Sequence, residues 1–281
     1  MQDSKVWFIT GASRGFGLEM TEQLLNAGHR VAATSRTLDG LREAVGASTD
    51  SFLPLEVDLV NEASVDQAIQ TTVATFGRLD FVVNNAGYGQ LGSLEELSDG
   101  ESRTNFDVNV FGTLNVIRSA MPQLRKQGTG HIVNFSSIAG LNGSFPGWGI
   151  YCATKFAVEG LSESLAEEVE PFGVRVTIVE PGYFRTDFLS DQSLNLPANK
   201  LAEYATVRES EAFHTDQMKG QQPGDPVKAV AAVIEAVTSD RPPLRLLLGE
   251  DAYTMARKKI EALDRDMEAW KEVTFSTGFA G

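Results

Sequence analysis

Apolar residues in this chain fall into short unbroken runs, and between the runs they recur every three or four positions. Val6-Trp7-Phe8-Ile9 is the first run and ends in Thr10-Gly11. Residues 16–27 follow with Leu18, Leu24 and Leu25 at helical spacing, and the pattern stops at Gly28. Further strand-like runs cover residues 30–34, 52–57, 79–83, 131–135 and 174–179. Helical patterns over 62–76, 101–127 and 151–170 separate the later ones. Short strands that are apolar on both sides belong to a parallel sheet covered on both faces. Short connections between alternating strands and helices favour a doubly wound order, because right-handed crossovers place helices on each side. The expected fold is α/β, a single domain over residues 1–281.

The rhythm breaks at residues 183–222, a polar stretch without a clear strand and longer than an ordinary connection. Asp225-Pro226 then supplies a capping residue followed by proline in the first helical position. That helix runs to about residue 237, and residues 244–248 form a last strand. Beyond it, residues 250–281 read as a C-terminal extension that opens with a charged amphipathic helix.

Composition narrows the function. With 42% apolar and 22% charged residues, the chain can build a full-sized core. Its longest apolar runs are too short to span a bilayer, and the N-terminus lacks the pattern of a signal peptide, so a cytoplasmic protein is expected. Lys and Arg total 24 against 38 Asp and Glu, a net charge of −14 that argues against nucleic acid and anionic membranes as partners. The single cysteine, Cys152, and three scattered histidines offer no metal-ligand spacing. Cys152 has no nearby histidine and reads as a packing residue; His214, in the polar stretch, reads as a surface residue.

Two groups of residues carry chemistry. Gly11, Ser13, Arg14, Gly15, Phe16 and Gly17 lie between the first strand and the first helix. Glycines there let the backbone approach a pyrophosphate, and the helix N-terminus offers free N–H groups. The second strand ends in Thr34-Ser35-Arg36, without the acid that usually accepts a bond from the ribose of NAD. Arg36 and Arg14 can instead pair with a 2′-phosphate, so NADP(H) is expected in preference to NAD(H). In the second group, Tyr151 and Lys155 share one helix face, where an ammonium can lower a phenol that ordinarily titrates near ~10. Ser136-Ser137 ends the preceding strand, at the sheet edge where open α/β folds bind ligands.

Together these motifs resemble the short-chain dehydrogenase/reductase family over nearly all of residues 5–182. The turn from Thr10 to Gly17 matches its TGxxxGxG pattern, and Asn84-Asn85-Ala86-Gly87 its NNAG motif. Asn109, Ser137, Tyr151 and Lys155 match its active-site residues, and Pro181-Gly182 its PG motif. One loop residue more than the family's commonest spacing separates Ser137 from Tyr151. The C-terminal half is similar to a bacterial branch related to 17β-hydroxysteroid and retinol dehydrogenases.

The resemblance implies a Rossmann-type fold and an NADP(H)-dependent alcohol dehydrogenase or carbonyl reductase. Tyr151 would be the general acid/base, Ser137 would hold the substrate oxygen, and Lys155 would hold the ribose and join a proton relay through Asn109. It extends the cofactor site to Asp58, Leu59, Asn85, Ala86, Gly87, Pro181, Gly182, Phe184 and Thr186. The substrate would be a small carbonyl compound or alcohol, with Leu141, Phe145, Trp148, Tyr183, Phe184 and Phe188 suggesting an apolar pocket under a lid of residues 183–222. The family also implies a homodimer or homotetramer built on the helices of Asn109 and Tyr151. Other classes on the same fold are a noncatalytic NADP(H) sensor, which typically loses the tyrosine or lysine, and an epimerase or dehydratase.

Overall fold

Successive side chains of a strand face opposite ways, and the first strand shows what this does to the core. In the computed structural model, which describes residues 4–46 and 49–279, β1 (Val6–Ile9) sends Val6 and Phe8 into one apolar layer and Trp7 and Ile9 into another. All four are fully buried. A strand covered on both sides needs helices on both sides. The first helix, α1 (Gly15–Asn26), contributes Met20 and Leu24 to the layer with Trp7.

The chain then lays down β2 (Arg30–Ser35), α2 (Leu38–Val45), β3 (Phe52–Glu56), α3 (Glu62–Phe76) and β4 (Phe81–Asn84). Helix α3 starts where the Asn61 side chain accepts from the Ala63 and Ser64 amides, and ends at Gly77 in the left-handed region. A two-residue strand, β5 (Gly89–Gln90), precedes the long helical segment. Expected as one helix, that segment is α4 (Asp99–Phe106), a wider π turn (Asp107–Phe111) and α5 (Gly112–Gln127). The wide turn lets Asn105 and Asn109, four residues apart, both donate to the Tyr88 carbonyl at 3.0 Å. Single π turns of this kind recur at functional sites.

The second half adds β6 (Gly130–Phe135), α6 (Gly149–Val169), β7 (Val174–Pro181), β8 (Leu194–Asn195), α7 (Ala205–Ala212), α8 (Pro226–Thr238) and β9 (Arg245–Leu248). Seven strands make one parallel sheet in the order β3-β2-β1-β4-β6-β7-β9. Helices α3, α5 and α6 cover one face; α1 and α8 cover the other. The chain runs outward from β1 through β2 and β3, then returns to β4 on the other side of β1. That reversal opens a crevice at the carboxyl ends of β1 and β4.

Residues 183–222 are not free of strand, contrary to the sequence pattern. Strand β8 pairs in parallel with β5, and two residues are too few to leave an alternating signal. Leu189, Leu194 and Val207 from this stretch are buried in a third apolar cluster with Trp148 and Tyr151. Arg208 holds both oxygens of the fully buried Glu96 carboxylate at 2.8 Å. The C-terminal α9 (Glu250–Ala269) buries only Ala252 and Ala256, and α10 (Lys271–Phe275) buries nothing. Among the described residues no helix is long and apolar enough to cross a membrane.

Candidate active site

A cleft of about 1100 Å³ runs along the carboxyl edge of the sheet, from Arg36 at one end to Phe188 at the other. Backbone builds its first half. Gly11 has φ +67°, and a Cβ there would stand 2.8 Å from the Cα of Ala86. A Cβ on Gly17 would stand 2.4 Å from the Gly11 carbonyl oxygen, so the turn closes only around glycine. Asn85 braces it by donating to the Thr10 and Gly11 carbonyls at 3.0 and 3.1 Å. Arg14 precedes α1 without a side-chain cap, which leaves first-turn amides facing the cleft.

Gly11, Ser13, Arg14, Gly15 and Phe16 line this half together with Ser35, Arg36, Asp58, Leu59, Asn85, Ala86 and Gly87. Gly17 does not reach the cleft and serves through its packing on Gly11. Arg36 is exposed beside Ser35, whereas Arg14 donates to Gln192 at 2.6 Å. The turn is thereby tied to the 183–222 stretch. The anion-facing amides, the close-packed glycines and the length of the cleft fit a dinucleotide.

Side chains build the second half. Tyr151 and Lys155 lie on the first turns of α6, both buried, with the lysine Nζ 5.8 Å from the tyrosine ring centre. Lys155 donates to the Phe135 carbonyl at 2.9 Å. Burial pulls its ammonium down to about 8, opposed by the charge of Glu159. Burial also pushes the Tyr151 phenol above its ordinary value, partly offset by a hydrogen bond with Ser137. The lowered phenol expected from a neighbouring ammonium is therefore not the prevailing effect; desolvation outweighs it.

The two serines separate cleanly. Ser137 lies beside the phenol and acts to lower it, its Oγ also accepting from the Ala139 amide at 3.1 Å, while Ser136 turns back to the Lys155 carbonyl at 3.5 Å. The extra loop residue has not moved Ser137 away from Tyr151. Asn109 does not line the cleft. It accepts from the Tyr88 amide at 3.1 Å and donates to Thr154 at 3.1 Å, which ties the π turn to α6. A Cβ on Gly87 would meet Asn109 Oδ1 at 3.0 Å and Lys155 Nζ at 3.7 Å, so Asn109 supports from behind a wall that Gly87 and Lys155 line.

Pro181, Gly182, Phe184 and Thr186 line the middle of the cleft, where Phe184 meets Phe16 edge-on at 5.4 Å. Phe145, Trp148, Tyr183 and Phe188 wall the far end. Leu141, expected with them, packs instead against the C-terminal helix with Ile138 and Ala256. Cys152 is buried, and burial pushes its thiol up to about 11, a poor nucleophile. His214 is not at the surface. Only 6% exposed, it sits in the cleft wall, 2.9 Å from the Tyr183 hydroxyl and edge-on to Trp148. Gln222 also lines the cleft, fully buried. Neither carries a local sequence signal, since both lie in a polar stretch whose folding partners are distant in sequence.

Comparison with known proteins agrees with this geometry. Residues 5–196 match the short chain dehydrogenase family. Oxidoreductase BOA17 of Botryotinia fuckeliana is 36% identical over 277 residues, covering 98% of this chain and 99% of that protein. A short-chain dehydrogenase from Streptomyces avermitilis superposes with a TM-score of 0.90 at 38% identity, covering 99% of this chain and 100% of that one. More distant structures include one from Burkholderia phymatum in complex with NAD, with TM-score 0.78, 27% identity and coverage of 94% and 95%. Another, from Burkholderia cenocepacia in complex with NADP, has TM-score 0.73, 26% identity and coverage of 96% and 98%.

Proposed function

The chain belongs to the short-chain dehydrogenase/reductase family, and on that premise we propose that it interconverts a carbonyl compound and an alcohol with NADP(H) as redox partner. The observation that carries the proposal is the meeting of Ser137, Tyr151 and Lys155 in one half of a cleft whose other half fits a dinucleotide. Bound there, the nicotinamide supplies or accepts the hydride. Gly11 to Phe16 and Asn85 to Gly87 hold the phosphates and the adenosine side. Ser35 and Arg36, at the end of β2, which carries no acid there, take a 2′-phosphate.

The chain's own residues manage the proton. In the reductive direction the Tyr151 hydroxyl donates its proton to the substrate oxygen as negative charge develops on it. A phenol pushed upward by burial is fully protonated at neutral pH, which suits an acid. Ser137 donates a hydrogen bond to the same oxygen, a stabilisation worth most in a dry site. Lys155, titrating at about 8, is mostly an ammonium at neutral pH and favours the phenolate left behind. Asn109 fixes the helix turn and loop that frame this group. Residues 183–222 cover the substrate.

Tyr151→Phe tests the assignment. Expected is a loss of about 10²–10⁴-fold in kcat for ketone reduction, with NADPH affinity retained. Turnover at the wild-type rate would end the general-acid role.

A further inference from the structure

The substrate end of the cleft is walled by rings, yet it holds polar atoms that nothing satisfies. Trp148 Nε1 and both amide atoms of Gln222 are buried without a hydrogen-bond partner among the described residues. Both residues line the cleft. Unpaired buried polar atoms are rare in folded proteins and costly to maintain, and each one asks for an explanation.

Beside Trp148, in the same cleft wall, stands a dyad whose proton positions follow from its partners. His214 Nδ1 lies 2.7 Å from the Ser210 carbonyl, which can only accept, so Nδ1 carries the proton. Burial holds the imidazole below its ordinary value, hence neutral. Nε2 is then an acceptor, and the Tyr183 hydroxyl at 2.9 Å must donate to it. Its proton thus committed, the Tyr183 oxygen offers only lone pairs to a ligand. Trp148, 4.8 Å from His214 between ring centres, offers only a donor.

We propose that Tyr183, His214, Trp148 and Gln222 form a subsite for a neutral group on the substrate that both donates and accepts hydrogen bonds, a hydroxyl in the simplest case, away from the carbonyl that reacts at Tyr151. An ammonium would leave the indole N–H unmatched. A carboxylate would set lone pairs against the Tyr183 oxygen. A methyl group would leave every polar atom unpaired. A hydroxyl donates its one proton to Tyr183 and accepts from Trp148, leaving a lone pair that can accept from the Gln222 amide N–H. The substrate is then amphipathic, with an apolar body against Phe145 and Phe188 and a polar head. The proposal rests on reading the cleft as a carbonyl or alcohol site.

A matched pair of ligands tests it: a para-hydroxyphenyl alkyl ketone and its para-methyl counterpart. Affinity of each for the full-length protein loaded with NADP⁺ is measured by calorimetry, and turnover of each is measured with NADPH. The hydroxy ketone is expected to bind at least tenfold more tightly, because a site built around a hydroxyl penalises the analogue that lacks it. That ratio should fall toward one in Tyr183→Phe and in Gln222→Leu. His214→Phe, which frees the Tyr183 proton, should also lower it, whereas His214→Gln, with an amide able to accept from Tyr183 and donate to Ser210, should preserve it. Should one variant fail to fold, the others and the wild-type ratio still decide. Equal binding of both ketones by the wild type, or binding of neither, overturns the subsite. Preferential binding without turnover of either ketone would leave the subsite standing and count against the carbonyl chemistry instead.

Discussion

The two ends of the cleft are made of different material. At the nucleotide end, the wall is glycines and uncapped helix-start amides of consecutive residues, and Arg36 beside them is exposed. At the substrate end, the wall is buried and half-buried side chains drawn from the start of α6, the segment after β7, the helical turn after α7 and the turn before α8. A backbone site needs one short segment and a close approach. A side-chain site needs the whole fold to be correct before any of its members meet. The first kind is suited to a ligand shared by many proteins and the second to one that is particular to this chain.

Lys155 joins the two ends, so its loss should do the most damage. Lys155→Ala is expected to lower kcat by about 10²–10⁴-fold and to weaken NADPH binding as well, unlike Tyr151→Phe. Steady-state kinetics and a fluorescence titration of NADPH measure the two effects. Unchanged cofactor affinity would confine the lysine to the substrate end.

Next in size is a stability effect behind the substrate end. Arg245 lies 3.1 Å from Glu159, 2.8 Å from Glu163 and 3.1 Å from Glu180. Burial pushes the Glu159 and Glu180 carboxyls upward against the pull of that guanidinium, and at Glu180 the charge of Glu159 adds to it, to about 7. Arg245→Met should cost about 3–5 kcal/mol by leaving buried carboxylates uncompensated. Carboxyls whose folded values lie above their unfolded ones lose stability as pH rises through the folded value. The penalty should therefore be largest near pH ~8 and shrink toward pH ~5. Thermal unfolding of both proteins at the two values checks the sign; a penalty that grew on acidification would refute the cluster's charge state.

The smallest effect belongs to the nucleotide end. Arg36→Ala should narrow the preference for NADPH over NADH by about 1.5 kcal/mol, the low end for a charged hydrogen bond because the guanidinium is exposed. Equal affinity of the wild type for the two cofactors would remove the basis for NADP(H).

This contrast also explains what could be read from sequence. The apolar runs located the seven strands of the sheet because the inner strands are buried on both faces and the edge strands β3 and β9 are half-buried. The turn from Thr10 to Gly17 was legible because close packing at Gly11 and Gly17 admits only glycine. Tyr151 and Lys155 were legible because a helix puts residues four apart on one face. Strands β5 and β8 left no trace, since two paired residues have no period. Helix α2 was also missed, with only Leu41 fully buried to mark it. His214 and Gln222 look like any polar residues in a surface stretch. Their burial is a tertiary fact, created when 183–222 folds back over Trp148 and Tyr151.

In the proposed reaction, hydride reaches the carbonyl carbon while Tyr151 protonates the oxygen that Ser137 holds. The most direct measurement is transfer of deuterium from NADPH deuterated at the reactive carbon of its nicotinamide to a panel of ketones and aldehydes, read by mass spectrometry of the alcohols. Label is expected on the carbinol carbon of at least one product, formed in equal number with oxidised cofactor, and none from Tyr151→Phe on the same timescale. Product alcohol without label, or no product from any member of the panel while NADPH binds, would contradict that reaction.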